Sequence, residues 1–510
     1  MIVEKGDGTI TQPRMDFVGV RTMEFCRRWG IVPWVESAGY NRDYPQDCVW
    51  LESLTGYEFG RERFPSPSKE QAPAQSPQKR ERCPQDFFDP VLVRFARSFP
   101  HVSLRYNCEL TGFEELPDSV NATVVDRTNG REEQLSASYL VGCDGGVSTV
   151  RERLGTGMSG SPLLTYTTNA IFRCDHLEKL HDKAPGYRFI FIGPEGTWAT
   201  IVAINGRDRW RLSIVGDETR RTLTEADVRA AIVRALGKEF DFEILSIMPW
   251  IRRQLVADRY GTKRVFIAGD AAHLTSPTGG FGMNTGIQDS VDLAWKLEAS
   301  VRGWGGPQLL GTYDIERRPV GIRNVSEATG NLNRMLAPRI QRPPREIFEP
   351  GPRGEQARRQ FGAHYTQMMR REWFTLGIHL GYFYEGSPIV VPDGTPAPPD
   401  EVSTYVQTSR PGSRAPHVWL RERKSTLDLF GRGFVLLRFG SKPPRAEALV
   451  KAAELRGVPL SVVDLDHEQA ARVYQRRLVL VRPDGHTAWR GDELPQDALK
   501  IIDAVRGASA

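Results

Sequence analysis

Cysteine is scarce in this chain: six occur in 510 residues, none in a CxxC pair and none beyond Cys174. That usage argues against a zinc site and a disulfide framework, and it fits a reducing compartment. Long apolar runs are also lacking, and no stretch approaches the ~20 residues needed to cross a bilayer. The amino terminus, MIVEKGDG, is charged from Glu4 onward and does not read as a secretory signal. A cytoplasmic location is therefore the expectation. No block of like charge is present, and a net charge of +5 on this length is a weak bias. Neither nucleic acid nor a membrane is expected as a partner. No cluster of metal-ligand residues is visible, so no metal is expected. The length suggests two or three domains.

A further absence concerns the first residues. Met1–Glu4 reads as the end of a buried strand closing on an acid. In a dinucleotide-binding βαβ unit an acid at that place bonds the adenosine ribose, which makes Glu4 a candidate. The strand, glycine turn and helix that should precede it do not occur. Gly155–Gly160, GTGMSG, has the right letters but follows a helical segment, so it reads as a loop. The expectation is a chain lacking roughly the first thirty residues of such a unit.

What is present is concentrated in Gly269–Asp289, GDAAHLTSPTGGFGMNTGIQD. The apolar run Val265–Ala268 ahead of it reads as a buried strand. The loop that follows holds Pro277, Gly279, Gly280 and Gly282, where backbone can approach a ligand because little side chain intervenes. A helix is expected from near Asn284 to about Ser300, with Ile287, Val291, Ala294 and Leu297 on its apolar face. Strand, loop and helix N-terminus bring a carboxylate, free N–H groups and a positive dipole end to one ligand. A second strand, Tyr139–Gly142, ends on Asp144–Gly145, and a helix starts at Ser148, giving DGGVSTVRERLG.

These two strings, about 125 residues apart, resemble the second flavin motif and the DG motif (DGxxSxVR) of the class A flavoprotein aromatic hydroxylases. That is the family of para-hydroxybenzoate hydroxylase and phenol hydroxylase. The resemblance implies FAD as cofactor. Gly269 and Asp270 would then meet the ribityl chain. Pro277, Gly280, Gly282, Met283 and Asn284 would follow the isoalloxazine ring. Asp144, Gly145 and Arg151 would bear on both FAD and the nicotinamide co-substrate, NADPH or NADH. The string PRMDFVGVRTME resembles phenol hydroxylase-like members, which makes Arg14 a contact for FAD phosphate or ribose. It also makes Asp16 the active-site aspartate, a base for the phenol proton. Gln85 matches a glutamine placed ahead of a helix near the ribityl chain. Arg42, Asp43 and Tyr44 form a second polar cluster for the substrate.

The implied fold is α/β. A Rossmann-like FAD-binding domain, truncated at its N-terminus, is expected over 1–160 and 255–395. An antiparallel-sheet substrate domain is inserted at 161–254, with strands at Phe189–Ile192, Thr197–Ile204 and Arg209–Val215 and a helix at Glu225–Leu236. Residues 65–84, rich in Pro, Ser, Gln and Lys, read as a long exposed loop. Residues 408–510 have the element order of thioredoxin without its CxxC, so redox work is excluded. In the family such a domain is a packing or dimer element, which leaves a homodimer as a candidate.

The implied function is an FAD-dependent monooxygenase. It would use NAD(P)H and O2 to hydroxylate a phenolic or other small aromatic substrate through a flavin C4a-hydroperoxide. Flavin-dependent halogenases share the fold, but their WxWxIP string and loop lysine do not occur, and Trp250 stands alone. The other alternative is an inactive truncated member that does not retain FAD.

Overall fold

Two long strands, Met158–Arg173 and Glu243–Ala257, pair antiparallel toward one edge of the largest sheet. In the computed structural model, which describes residues 1–508, this sheet has eight strands. Ser509 and Ala510, where the expected last domain ends, lie outside the described residues. Across the sheet the order is His273–Leu274, Glu243–Ala257, Met158–Arg173, Arg209–Val215, Gly196–Ala203, Arg188–Gly193, Cys48–Leu51 and Glu58–Glu62. All pairings are antiparallel except that of Arg188–Gly193 with Cys48–Leu51. A bulge interrupts the pairing of the two long strands between Ser161 and Thr165. Just before it Gly160 has φ 128°, and a Cβ there would stand 2.0 Å from the Gln254 carbonyl oxygen, so only glycine fits.

Period-two alternation gives the sheet two faces. One is covered by the helix Glu225–Leu236, whose Val228, Ile232 and Leu236 pack with Leu51, Phe191 and Leu212. A capping box of Thr224 and Asp227 starts that helix, and Gly237 in the left-handed region ends it. The other face presents Thr200, Val202, Arg211 and Ser213 to a cavity.

The expected strands and helix of residues 189–236 are observed within one or two residues of their expected limits. The sheet reaches beyond 161–254, however, because Cys48–Leu51 and Glu58–Glu62 join its edge. Cys48–Leu51 is buried throughout, and four apolar residues are too short a run to separate strand from helix by periodicity. The Gly155–Gly160 loop is shorter than expected, since the strand begins at Met158. Residues 65–84 are a further correction: Ser66, Ser76, Glu81 and Cys83 are buried. Distant partners hold this segment down. Ser76 donates to Glu24 (2.6 Å), and Arg414 donates to the Gln75 carbonyl (3.1 Å).

Elsewhere Ile2–Val3 pairs with Leu104–Arg105, and Leu140–Gly142 with Val265–Ile267, as two separate parallel pairs. The helix Gly282–Val301 follows the second pair, and Thr312–Ile340 packs beside it. The buried face of Gly282–Val301 is not the expected apolar stripe. It carries Asn284, Gln288, Asp289, Asp292 and Lys296, while Ala294 is exposed. No described helix is long and apolar enough to cross a membrane.

The last unit follows the expected order of elements. Its sheet runs Leu460–Leu465, Phe434–Phe439, Leu478–Val481, Thr487–Gly491, with only the first pair parallel. Helices Glu447–Leu455, Glu468–Tyr474 and Ala498–Val505 complete it. Phe434 and Leu436 pack against Trp295, Trp304 and Leu309, so one face of this unit is continuous with the rest of the chain.

Candidate functional site

A cavity of about 1160 Å³ lies between the large sheet and the two glycine loops. Its first wall is the turn after Val265–Ile267. Gly269 has φ 62°, and a Cβ on Gly286 would come within 3.0 Å of the Gly269 Cα. The start of the Gly282–Val301 helix can lie against this turn because neither residue has a side chain there. Gly269, Asp270, Pro277, Gly280, Gly282 and Met283 all line the cavity. The first-turn N–H groups of that helix have no partner within it.

The second wall is the Cys143–Val147 turn. Asp144 accepts from the Ser148 hydroxyl and from the Val150 N–H (3.0 Å), and Ser148 Oγ accepts from the Arg151 N–H (3.0 Å). This caps the helix Thr149–Arg153 while leaving Asp144 and Gly145 on the cavity. Space beside Gly145 is open: a Cβ there would meet nothing within 4 Å. Nearby, Gln85 Oε1 accepts from the Arg14 N–H (3.0 Å), and both residues line the same space.

Three expected site residues do not face the cavity. Arg151 is buried and donates to the carbonyls of Ala271 and Gly146 (both 2.9 Å), tying the two loops together. Asn284 is buried and uses its whole amide. Its oxygen accepts from the Gly19 N–H (2.8 Å) and the Thr22 hydroxyl (2.7 Å), and its nitrogen donates to the Phe17 and Gly280 carbonyls (3.1 and 2.7 Å). The Glu4 carboxylate accepts from the Gly6 N–H (2.7 Å) and lies outside the lining. The cluster of Arg42, Asp43 and Tyr44 is also elsewhere. Arg42 pairs with Glu36 and Glu81 (3.0 and 2.9 Å), Tyr44 donates to the Gly186 carbonyl (3.1 Å), and Asp43 accepts from Ser68 (2.6 Å).

Asp16 stands at the sheet end of the cavity. Its Oδ1 accepts from Arg82 (3.1 Å), its Oδ2 accepts from the Tyr187 hydroxyl (2.5 Å), and Arg211 lies 3.8 Å from Oδ2. Arg82 also stacks over the Tyr187 ring at 3.6 Å. Burial pushes the Tyr187 hydroxyl well above its ordinary pKa, so it stays protonated as the donor in this pair. Glu372 accepts from Arg188 (2.7 Å) and from the Gly279 N–H (3.2 Å), joining the sheet to the glycine loop. Trp250 and Trp373 supply aromatic walls.

Arg82, Tyr187, Arg188, Arg211, Arg252 and Glu372 were not singled out from the sequence. The only local signal is arginine inside otherwise apolar strands, as at Arg211 in RWRLSIV. One end of the cavity thus offers glycine backbone and a helix N-terminus to a long anionic ligand. The other offers aromatic surface with a carboxylate–tyrosine pair. Such a space suits a flat cofactor head beside an aromatic substrate.

Residues 1–328 match the FAD binding domain family, and residues 408–507 match the aromatic-ring hydroxylase C-terminal family. A putative polyketide hydroxylase of Streptomyces halstedii is 34% identical, over 97% of this chain and 89% of the relative. A 4-methyl-5-nitrocatechol 5-monooxygenase of Burkholderia sp is 31% identical, over 99% of this chain and 92% of the relative. The structure of the rebeccamycin biosynthetic enzyme RebC with reduced flavin superposes with a TM-score of 0.91 at 38% identity, covering 100% of this chain and 94% of that one.

Proposed function

The chain belongs to the class A FAD-dependent aromatic hydroxylases and is a flavoprotein monooxygenase; within that family we propose that it uses NAD(P)H and O2 to hydroxylate a phenolic or other small aromatic substrate. The observation that carries this reading is the single cavity joining the two glycine loops to the Asp16–Tyr187 pair. The open cradle beside Gly145 and the close approach of Gly269 to Gly286 fit a flat, anionic cofactor such as FAD. We assign its binding to Arg14, Gln85, Asp144, Gly145, Gly269, Asp270, Pro277, Gly280, Gly282 and Met283. Arg151 and Asn284 brace the loops that do so. When bound, FAD supplies electron transfer and oxygen activation.

The chain's own residues then bind, orient and shield. The helix N-terminus at Gly282 stabilises negative charge on the ligand facing it. Trp250 and Trp373 exclude water from the substrate end. Asp16 takes the phenol proton, which enriches the ring for oxygen transfer. Both Asp16 oxygens are already engaged, by Arg82 and by Tyr187. An entering phenol therefore shares Oδ2 with the Tyr187 hydroxyl, and that hydroxyl orients it. The last unit, with its sheet order and lack of cysteine, serves as a thioredoxin-like brace rather than a redox domain.

The test begins with the purified protein after incubation with FAD. A flavin absorbance band and NAD(P)H oxidation in the presence of an aromatic substrate are expected. A colourless protein without oxidation supports the non-catalytic alternative instead. In Asp16→Asn, NAD(P)H oxidation should persist while hydroxylated product falls by about 100- to 10,000-fold and hydrogen peroxide takes its place. Equal product per NAD(P)H in both proteins at every pH removes Asp16 from the chemistry.

A further inference from the structure

Arg252 lies on the Glu243–Ala257 strand opposite Thr165 and lines the cavity. It is 4% exposed. Its Nε donates to Thr167 Oγ1 (3.0 Å) and its Nη1 to Ser276 Oγ (3.4 Å). Among the described residues no carboxylate oxygen comes within 4.0 Å of it. The neighbouring guanidiniums are better provided for. Arg188 has Glu372 at 2.7 Å, Arg82 has Asp16 at 3.1 Å, and Arg211 has the Pro13 carbonyl at 3.1 Å. Four arginines therefore share two carboxylates at this end of the cavity. Burial, followed by Arg188, pushes Arg252 down to about 9; Glu372 opposes this from a distance, and Arg211 and Arg339 add to it. A guanidinium does not give up its proton in a protein, so the pressure amounts to an unbalanced positive charge. A buried charge is costly unless something pairs with it. The planar fork of an arginine is matched best by a carboxylate.

Resting on the aromatic-hydroxylase reading, we infer that the substrate carries an ionised carboxylate and that Arg252 receives it. The ring then lies toward Trp250, whose indole is 5.9 Å from the Arg252 guanidinium carbon. Thr167 and Ser276 fix the guanidinium from behind and leave donors for the ligand. The substrate class is an aromatic carboxylic acid, selected over its neutral amide or ester.

Two probes of one shape and different charge test this: naphthalene-2-carboxylate and naphthalene-2-carboxamide. Each is titrated into FAD-incubated protein and followed by tryptophan fluorescence. In the wild type the acid should bind at least tenfold more tightly than the amide. Arg252→Gln, which keeps a donor for Thr167, should bring the ratio close to one with amide binding and the flavin spectrum unchanged. Arg252→Lys should retain part of the preference. A wild-type ratio near one, no saturable binding of the acid, or a tenfold ratio surviving in Arg252→Gln overturns the inference. If Arg252 instead balances charge on the flavin, Arg252→Gln shifts the flavin midpoint potential and leaves the ratio intact, which also overturns it. A wild type that takes up no FAD defeats the proposed function alone. Tryptophan fluorescence on that protein still yields the acid-to-amide ratio, so the two readings fail separately.

Discussion

Arg482 and Arg252 are both buried guanidiniums, and their surroundings are opposite. Arg482, on the last unit, meets Glu316 at 2.5 and 2.8 Å, Asp484 at 2.6 Å and Asp292 at 3.0 Å. Lys296 joins the cluster at 2.6 Å from Asp292 and 2.7 Å from Glu316. Every member is 3% exposed or less. Arg252 has two hydroxyl partners and, among the described residues, no carboxylate within 4.0 Å. A charge surrounded by opposite charge holds parts of the chain together. A charge left bare in a cavity is available to something that enters. Desolvation disfavours both, and only in the first case does the fold itself offset it.

The largest effect should come from breaking the saturated cluster. Arg482→Met leaves Asp292 and Glu316 buried with Lys296 as their shared cation, and Asp484 buried beside His486 (3.4 Å). Removing one partner of a buried ion pair typically costs about 3–5 kcal/mol, because the remaining charges are stranded. The urea midpoint should fall accordingly. Adding Glu316→Gln to Arg482→Met should recover part of the loss. No recovery would mean that packing, not charge, holds the last unit in place.

The next effect is on acid stability, at a second buried cluster between the same parts. Glu24 is paired with Arg414 and with Arg21, the latter at 2.8 Å. Burial alone would raise the Glu24 carboxyl, but the Arg414 and Arg21 guanidiniums outweigh it and hold it down at about 2. A carboxyl lowered in the folded state stabilises fully above its unfolded value near 4.5 and loses that contribution as pH falls through about 2. The shift corresponds to about 3 kcal/mol. Glu24→Gln should therefore lower stability at pH 7 and flatten its decline between pH 4.5 and 2. An unchanged acid profile would remove Glu24 from this role.

A smaller effect separates two aspartates of one stretch. Asp289 is buried between Arg317 (2.9 Å) and His273 (2.8 Å), whereas Asp270 is exposed on the cavity wall. Asp270→Ala should weaken FAD by about 1.5–3 kcal/mol, the worth of a hydrogen bond to a charged group. It should leave the thermal midpoint of the FAD-free protein in place. Flavin affinity equal to wild type would take Asp270 out of the site.

The same contrast explains what the amino-acid order revealed. The glycine loops were legible because strand, turn and capped helix are written within about twenty residues. The strands from Arg188 to Val215 and the helix Glu225–Leu236 were legible because their alternation and capping box are local. The buried face of Gly282–Val301 was not. Asp292 and Lys296 look like a solvent face until Arg482, 190 residues beyond Asp292, is known to meet them. Residues 65–84 misled for the same reason, since Glu24 and Arg414 supply their partners from afar. At the site, its string singles out Asp16, which lines the cavity. Tyr187, 171 residues away, could not be matched to it without the sheet that brings them together.

The smallest expected effect on stability is also the sharpest test of the comparison. If Arg252 were a second structural cation, Arg252→Met would behave like Arg482→Met and cost several kcal/mol. If it is a charge held bare for a ligand, the folded protein loses little by giving it up. Methionine has similar length and fills irregular space, so the site need not collapse. It removes a desolvated charge and two hydrogen bonds to hydroxyls, terms of opposite sign. Replacing buried charge by apolar volume is often neutral or stabilising. Arg252→Met should therefore lie within about 1 kcal/mol of wild type in urea unfolding, or be more stable. The acid-to-amide preference should nevertheless be lost. Sites built to bind commonly trade stability for function in this way. A cost close to that of Arg482→Met would make Arg252 part of the scaffold, and the two guanidiniums would then differ in their partners but not in their task.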